Sequence, residues 1–355
     1  MSIPRRNGWS DAAFGRAFLA RIIGCAVFGE LSKLHDIIGL TALATLHEDI
    51  MKRPAFTALL ALLASTAIPN AAAQESTGTL AKLKRTGTIT LGVRDGSVPF
   101  SYLDDQQRYI GYSIDLCLKV VDALRTQLAL PGLKVAMNPV TSANRIPLIA
   151  NGTIDLECGS TTNNPERQQQ AAFAPTMFVV SNRLLSKKSS GIRTLADMKG
   201  KTLVVTAGTT GQKLMTVLNG ERGLGMKIVV GKDHPESFLM LETGRAQAFA
   251  NDDVLLAAQV AGARAPRDYQ ISADALSVEP YAIMMRRGDP QFKQAVDAAL
   301  RKFYQSDQFA ATYAKWFMSP IPPRGINLNF PMSPQLKAVI AKPTDSADPA
   351  AYALK

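Results

Sequence analysis

Apolar positions along the chain fall into short runs separated by polar, glycine-bearing turns, and their period changes from run to run. Residues 88–93 (TITLGV) and 135–139 are compact extended runs and predict strands. Between them Ile114, Leu116, Leu118, Val120, Val121 and Leu124 mark a helix, with Ser113 as its predicted cap. The alternation continues with a helical segment at 144–151, a turn at Gly152 and a strand over 154–157. Further on, strands are predicted over 202–205, 227–230 and 244–250. Helix starts follow them at 207–210, at Asp233-His234-Pro235 with proline in the first turn, and at Asp253. Two longer apolar runs, 178–185 and 278–285, interrupt this rhythm and read as crossings out of one βα block and back into it. Helices over 290–304, 308–316 and 333–341, a proline-rich stretch from 320 and a polar, loose end complete the chain. The fold class is therefore α/β: two lobes, each a sheet flanked by helices, joined by two hinge strands. Lobe 1 is expected over 74–181 and 280–343, lobe 2 over 182–279, and a loose tail over 344–355. A ligand is expected between the lobes, since pockets favour such interfaces.

The 355 residues suffice for two cores. Residues 51–73 carry a charged start (Lys52, Arg53), an apolar stretch over 55–64 and small residues Ala71-Ala72-Ala73, the three parts of a secretory signal peptide in order. Cleavage is expected after Ala73. The apolar core is about half the ~20 residues a membrane span needs. Residues 1–50 are then expected to be an upstream extension from a misplaced gene start, with a genuine N-terminal extension as the rival reading.

The net charge of +11 suits an anionic ligand, but Lys and Arg are dispersed, without a basic run or a nucleic-acid motif, so nucleic acid is not an expected partner. Of the cysteines Cys25, Cys117 and Cys158, none forms CxxC or a Cys/His cluster with metal spacing. Cys117 and Cys158 are expected as buried thiols, although export would also allow them to pair. GxSxG and HExxH are absent, and GTTGQK at 208–213 lacks phosphate-loop spacing.

Candidate chemistry concentrates in 141–168, TSANRIPLIANGTIDLECGSTTNNPERQ. It sets Arg145 and Arg167 beside clusters of small hydroxyl and amide residues, past the end of a predicted strand. That is where open α/β sheets bind ligands. A guanidinium grips a carboxylate through two parallel hydrogen bonds, so the stretch predicts a pocket for a small carboxylate.

Together with VPFSY, GKDHPES, GRAQAFANDD, DPQFK and the PIPP segment, this stretch resembles the periplasmic solute-binding proteins of ABC transporters for polar amino acids, and among them the glutamate/aspartate binders. The resemblance covers about 79–343. It implies a two-lobed fold closing on its ligand, no reaction, no cofactor and no metal. The implied partners are L-glutamate or L-aspartate and the permease subunits in the inner membrane, the implied state a monomer in the periplasm. Residue by residue, it implies that Arg167, Thr162 and Thr210 hold the α-carboxylate, and that Asp252 and Ser160 hold the α-ammonium. Arg94, Ser142, Arg145 and His234 would face a side-chain carboxylate. The chain departs from the family pattern at Asn251 and Gly211, both beside ligand positions. An enzyme of this fold acting on a small carboxylate, or a sensor module serving a receptor, are the alternatives.

Overall fold

The structure, a computed structural model, describes residues 78–353; the expected upstream extension and signal peptide lie outside the described residues. Two five-stranded sheets carry the fold. In the first the order is Lys134–Pro139, Thr88–Val93, Leu156–Glu157, Met284–Arg286, Ala171–Phe173. Thr88–Val93 runs parallel to its two neighbours, and Met284–Arg286 enters antiparallel. The second sheet repeats the plan as Lys227–Gly231, Thr202–Thr206, Ala248–Asp252, Asn182–Lys187, Tyr269–Ile271. Its first three strands are parallel, and Asn182–Lys187 runs against Ala248–Asp252.

Between the sheets, Phe178–Val180 and Glu279–Tyr281 pair antiparallel as the two crossings. Each long apolar run is thus two strands rather than one. The chain breaks at Ser181 and again between Tyr281 and Met284, because the crossing pair and the lobe sheets are different ladders. The first core packs aromatic rings under the crossing: Phe100 lies 5.1 Å from Phe178 and 5.3 Å from Tyr281, both edge-on. The second sheet has a smaller apolar cluster on each side, Leu203, Val205 and Met215 in one and Leu185, Val204 and Phe249 in the other.

Three local expectations are corrected. The helix Tyr112–Gln127 begins after Gly111, and Ser113 is not its cap. Gly111 sits at φ 140°, where a Cβ would lie 2.2 Å from the Phe100 carbonyl oxygen, so the turn is made by backbone. Ser113 lies inside the helix, and its hydroxyl donates to the Gly159 carbonyl at 2.8 Å. The tail is not loose as far as it is described. Thr176 N–H donates to Thr344 O at 2.8 Å, Asn163 Nδ2 donates to Asp345 O at 2.9 Å, and Tyr352 is buried with its hydroxyl 2.8 Å from Thr176 Oγ1. A buried aromatic and a backbone bond to lobe 1 anchor what its polar composition had suggested was free.

Finally, Cys117 and Cys158 are joined by a disulfide, not left as thiols. It ties the helix Tyr112–Gln127 to the residue preceding the Gly159–Thr162 loop. The bridged cysteines are 41 residues apart, and closing such a loop constrains the unfolded chain by about 4 kcal/mol. Cys117→Ser/Cys158→Ser is expected to lose about that much stability in urea unfolding. Equal midpoints for the reduced and oxidised protein would refute it.

Candidate ligand site between the lobes

The site forms where the parallel strands of both sheets end. Arg94 follows Thr88–Val93, and Ser142 and Arg145 follow Lys134–Pro139, with Arg145 opening the helix Arg145–Ala150. Ser160 and Thr162 follow Leu156–Glu157, and Arg167 lies in the short helix Pro165–Gln168, whose Asn164 cap accepts from Arg167 N–H at 2.8 Å. From the second lobe, Thr210 is the first residue of the helix Thr210–Glu221, His234 the first of His234–Glu242, and Asp252 the last of its strand. The structure brings all nine predicted residues to this interface. Eight are buried and Thr210 is half-buried.

The lobes meet closely here. Gly208, at φ 72°, comes so near the first lobe that a Cβ would sit 2.6 Å from Ala143 Cα. Only glycine accommodates both that φ and that approach. Arg167 spans the gap, donating from Nη1 to Thr162 O at 2.9 Å and from Nη2 to Gly208 O at 3.2 Å.

Three buried guanidinium groups share the site. Arg145 Nη1 donates to Thr161 Oγ1 at 2.6 Å and Ser160 O at 3.3 Å and lies 3.9 Å from Glu157 Oε1. Burial, and then the neighbouring Arg145 charge, push Arg94 and Arg167 down to about 10, so both remain cations at neutral pH. Arg94 Nη1, Arg145 Nε and the hydroxyls of Ser142 and Ser160 are buried without a hydrogen-bond partner among the described residues. Glu157 Oε1, near Arg145, is likewise buried without a partner among the described residues. Buried polar groups are normally satisfied, so two guanidinium nitrogens and two hydroxyls left unpaired at this interface mark a place for a polar ligand that accepts hydrogen bonds.

The hydroxyls of Thr162 and Thr210 are spent elsewhere. Both donate to Glu279 Oε2, Thr162 at 2.6 Å, and Ser277 Oγ donates to Glu279 Oε1 at 3.0 Å. Each hydroxyl has one hydrogen to give, which leaves the backbone N–H as the anion donor at these threonines. At Thr210 that N–H opens a helix, where the dipole favours an anion. Glu279, on the second crossing strand, is the residue the sequence reading missed, and it joins the two lobes through these threonines. Its one signal was an acid inside the apolar run 278–285.

Asp252 accepts from Tyr281 OH and, at 3.3 Å, from Asn182 Nδ2. Burial and the charge of Glu279 raise it to about 8 despite those bonds. Gly211 serves this arrangement, since a Cβ there would stand 2.6 Å from Asn182 Nδ2. His234 is buried, with Nδ1 3.0 Å from Thr206 Oγ1 and 3.2 Å from Asn251 Nδ2. Burial, then the charges of Arg94 and Arg145, hold it well below its usual value, so it is a neutral ring at neutral pH and adds no cation to the pocket. Among the described residues no group of His, Cys, Asp and Glu is arranged to hold a metal.

A two-lobed α/β fold with cationic and acidic groups buried at the lobe interface defines a small-molecule binding protein. The chain belongs to the bacterial extracellular solute-binding proteins, family 3, whose sequence profile matches residues 89–319. It is 53% identical over 292 residues to the L-glutamate/L-aspartate-binding protein of Pseudomonas aeruginosa, covering 82% of this chain and 96% of that one. It is 46% identical over 299 residues to the glutamate/aspartate import solute-binding protein of Escherichia coli K12, covering 84% and 99%. Among solved structures, it resembles a substrate-binding protein of a Streptococcus pneumoniae ABC uptake transporter with bound histidine. There the TM-score is 0.63, with 25% identity over 68% of this chain and 97% of the other. The chain is thus a solute-binding protein, not an enzyme.

Proposed function

We propose that the protein captures L-glutamate or L-aspartate between its lobes and delivers it to permease subunits of an ABC importer in the inner membrane. In this reading Arg167 and the backbone N–H groups of Thr162 and Thr210 take the α-carboxylate, and Asp252 with Ser160 takes the α-ammonium. Arg94, Ser142, Arg145 and His234 take the second carboxylate. The observation that carries it is that Arg94 Nη1, Arg145 Nε and the Ser142 hydroxyl, at the interface that Arg167 bridges, are all buried without a partner among the described residues. A single α-carboxylate needs only one guanidinium fork, and with a neutral side chain Arg94 and Arg145 would share the one nearby carboxylate of Glu157, leaving the pair short of a counter-charge.

The protein would be exported by the segment 51–73, cleaved after Ala73, and act in the periplasm as a monomer. Its lobes would divide as 74–181 with 280–343, and 182–279. Calorimetry on the ligand-stripped protein tests the ligand. Glutamate and aspartate are expected to bind at micromolar Kd or tighter, about −8 kcal/mol or better, and glutamine and histidine far more weakly. Preferential binding of glutamine would refute the assignment of Arg94 and Arg145.

A further inference from the structure

Asn251 stands in the strand Ala248–Asp252, buried, with its amide nitrogen 3.2 Å from His234 Nδ1. An amide nitrogen only donates, so Nδ1 is the accepting atom, and in a neutral imidazole the hydrogen then sits on Nε2. The surrounding bonds are consistent with this. Ser237 Oγ gives its hydrogen to Asp233 O at 2.8 Å, which leaves it an acceptor toward Thr206 Oγ1, 2.9 Å away. Thr206 can therefore donate to Ser237 or to Nδ1, 3.0 Å off, and nothing here requires a hydrogen on Nδ1. The charges facing the ring are Arg94 and Arg145 from the first lobe, both opposing a second proton. Among the described residues Nε2 has no hydrogen-bond partner in the protein.

We propose that Asn251 is a positioning residue that fixes His234 as the Nε2–H tautomer, so that the ring offers a donor to the distal carboxylate of the ligand. An apolar residue at 251 would leave Nδ1 to Thr206 alone, whose hydroxyl serves either tautomer. The ring could then present a lone pair to an anion. The proposal rests on the distal-carboxylate reading given above, and adds the atom that sets its donor pattern.

The test is 15N NMR of the full chain labelled at histidine, with the signals of His234 assigned by their loss in His234→Gln. In the parent protein, Nδ1 is expected unprotonated and Nε2 protonated from about pH 6 to 8. Asn251→Leu is expected to mix the two tautomers and weaken glutamate binding by about three- to tenfold, leaving glutamine binding unmoved. The isosteric Asn251→Asp, which can only accept at neutral pH, is expected to move the hydrogen to Nδ1 and serves as a second variant if Asn251→Leu fails to fold. A parent ring protonated on Nδ1, or tautomers indifferent to both substitutions, overturns the proposal. A tautomer change that leaves glutamate affinity untouched also overturns it while the distal-carboxylate reading stands. Failure of the parent protein to bind any acidic amino acid overturns that reading itself.

Discussion

Arg94→Met is expected to make the ligand-free protein more stable while removing most of its affinity for an acidic ligand. Arg94 is 3% exposed, and its backbone N–H is satisfied by Ser101 Oγ at 2.8 Å, yet its guanidinium Nη1 has no partner among the described residues. The charge is held against burial and against Arg145. Replacing a buried, poorly paired charge with an apolar side chain of similar length commonly stabilises, here by about 1 kcal/mol or more. The same substitution removes a charged donor from the bound complex, at about 2–4 kcal/mol, or roughly 30- to 1,000-fold in Kd. Glutamine, lacking the second carboxylate, is expected to lose less. Arg145→Met provides the contrast. That arginine holds Thr161 and Ser160 and is the nearest cation to the buried Glu157, so its removal is expected to cost both binding and stability. Denaturation without ligand, paired with calorimetry, reads both effects. A destabilised Arg94→Met with unchanged glutamate affinity would make Arg94 a structural arginine.

Such opposed effects separate what the sequence could say from what it could not. Strand ends are legible because hydrophobic period and turn chemistry are local, so Arg94, Thr210, His234 and Asp252 could be placed at the ends of elements before any contact was known. Asp233 is a case in point: its side chain caps His234–Glu242 by accepting from Glu236 N–H at 2.9 Å, as the Asp-His-Pro spelling suggested. Hydroxyl bonding was not legible. That Thr162 and Thr210 both serve Glu279 depends on two lobes and a crossing strand 69 residues beyond Thr210. The cysteine pair escaped for the same reason, since 41 residues of separation leave pairing undetermined until the helix Tyr112–Gln127 is packed beside Cys158. Protonation was the least legible. The neutral state of His234 comes from burial and two arginines of the other lobe, neither of which its own neighbours in sequence reveal.

Protonation also yields the second large effect: ligand capture is expected to expel a proton. Asp252 is raised to about 8 by burial and by Glu279, so at neutral pH it is mostly protonated before an α-ammonium arrives. Pairing with that cation requires the carboxylate, and the proton must leave. With the folded pKa above the unfolded one, the protonated acid supports the fold at low pH, and that support is lost as pH rises toward about 8; the ligand's ammonium then replaces it. Affinity should therefore rise nearly tenfold per pH unit below about 7 and level off above about 9. His234, held well below its ordinary value, stays neutral across this window and contributes no opposing slope. Calorimetry in two buffers of different ionisation enthalpy reads the released proton directly. Asp252→Asn is expected to abolish the release and weaken binding by on the order of a hundredfold. Glu279→Gln removes the neighbouring charge that raises Asp252, and should move the release to lower pH without eliminating it. Buffer-independent enthalpies and a flat affinity from about pH 6 to 9 would mean that Asp252 is already ionised when the ligand binds, and that its pairing with Tyr281 and Asn182, not a proton, prepares the site.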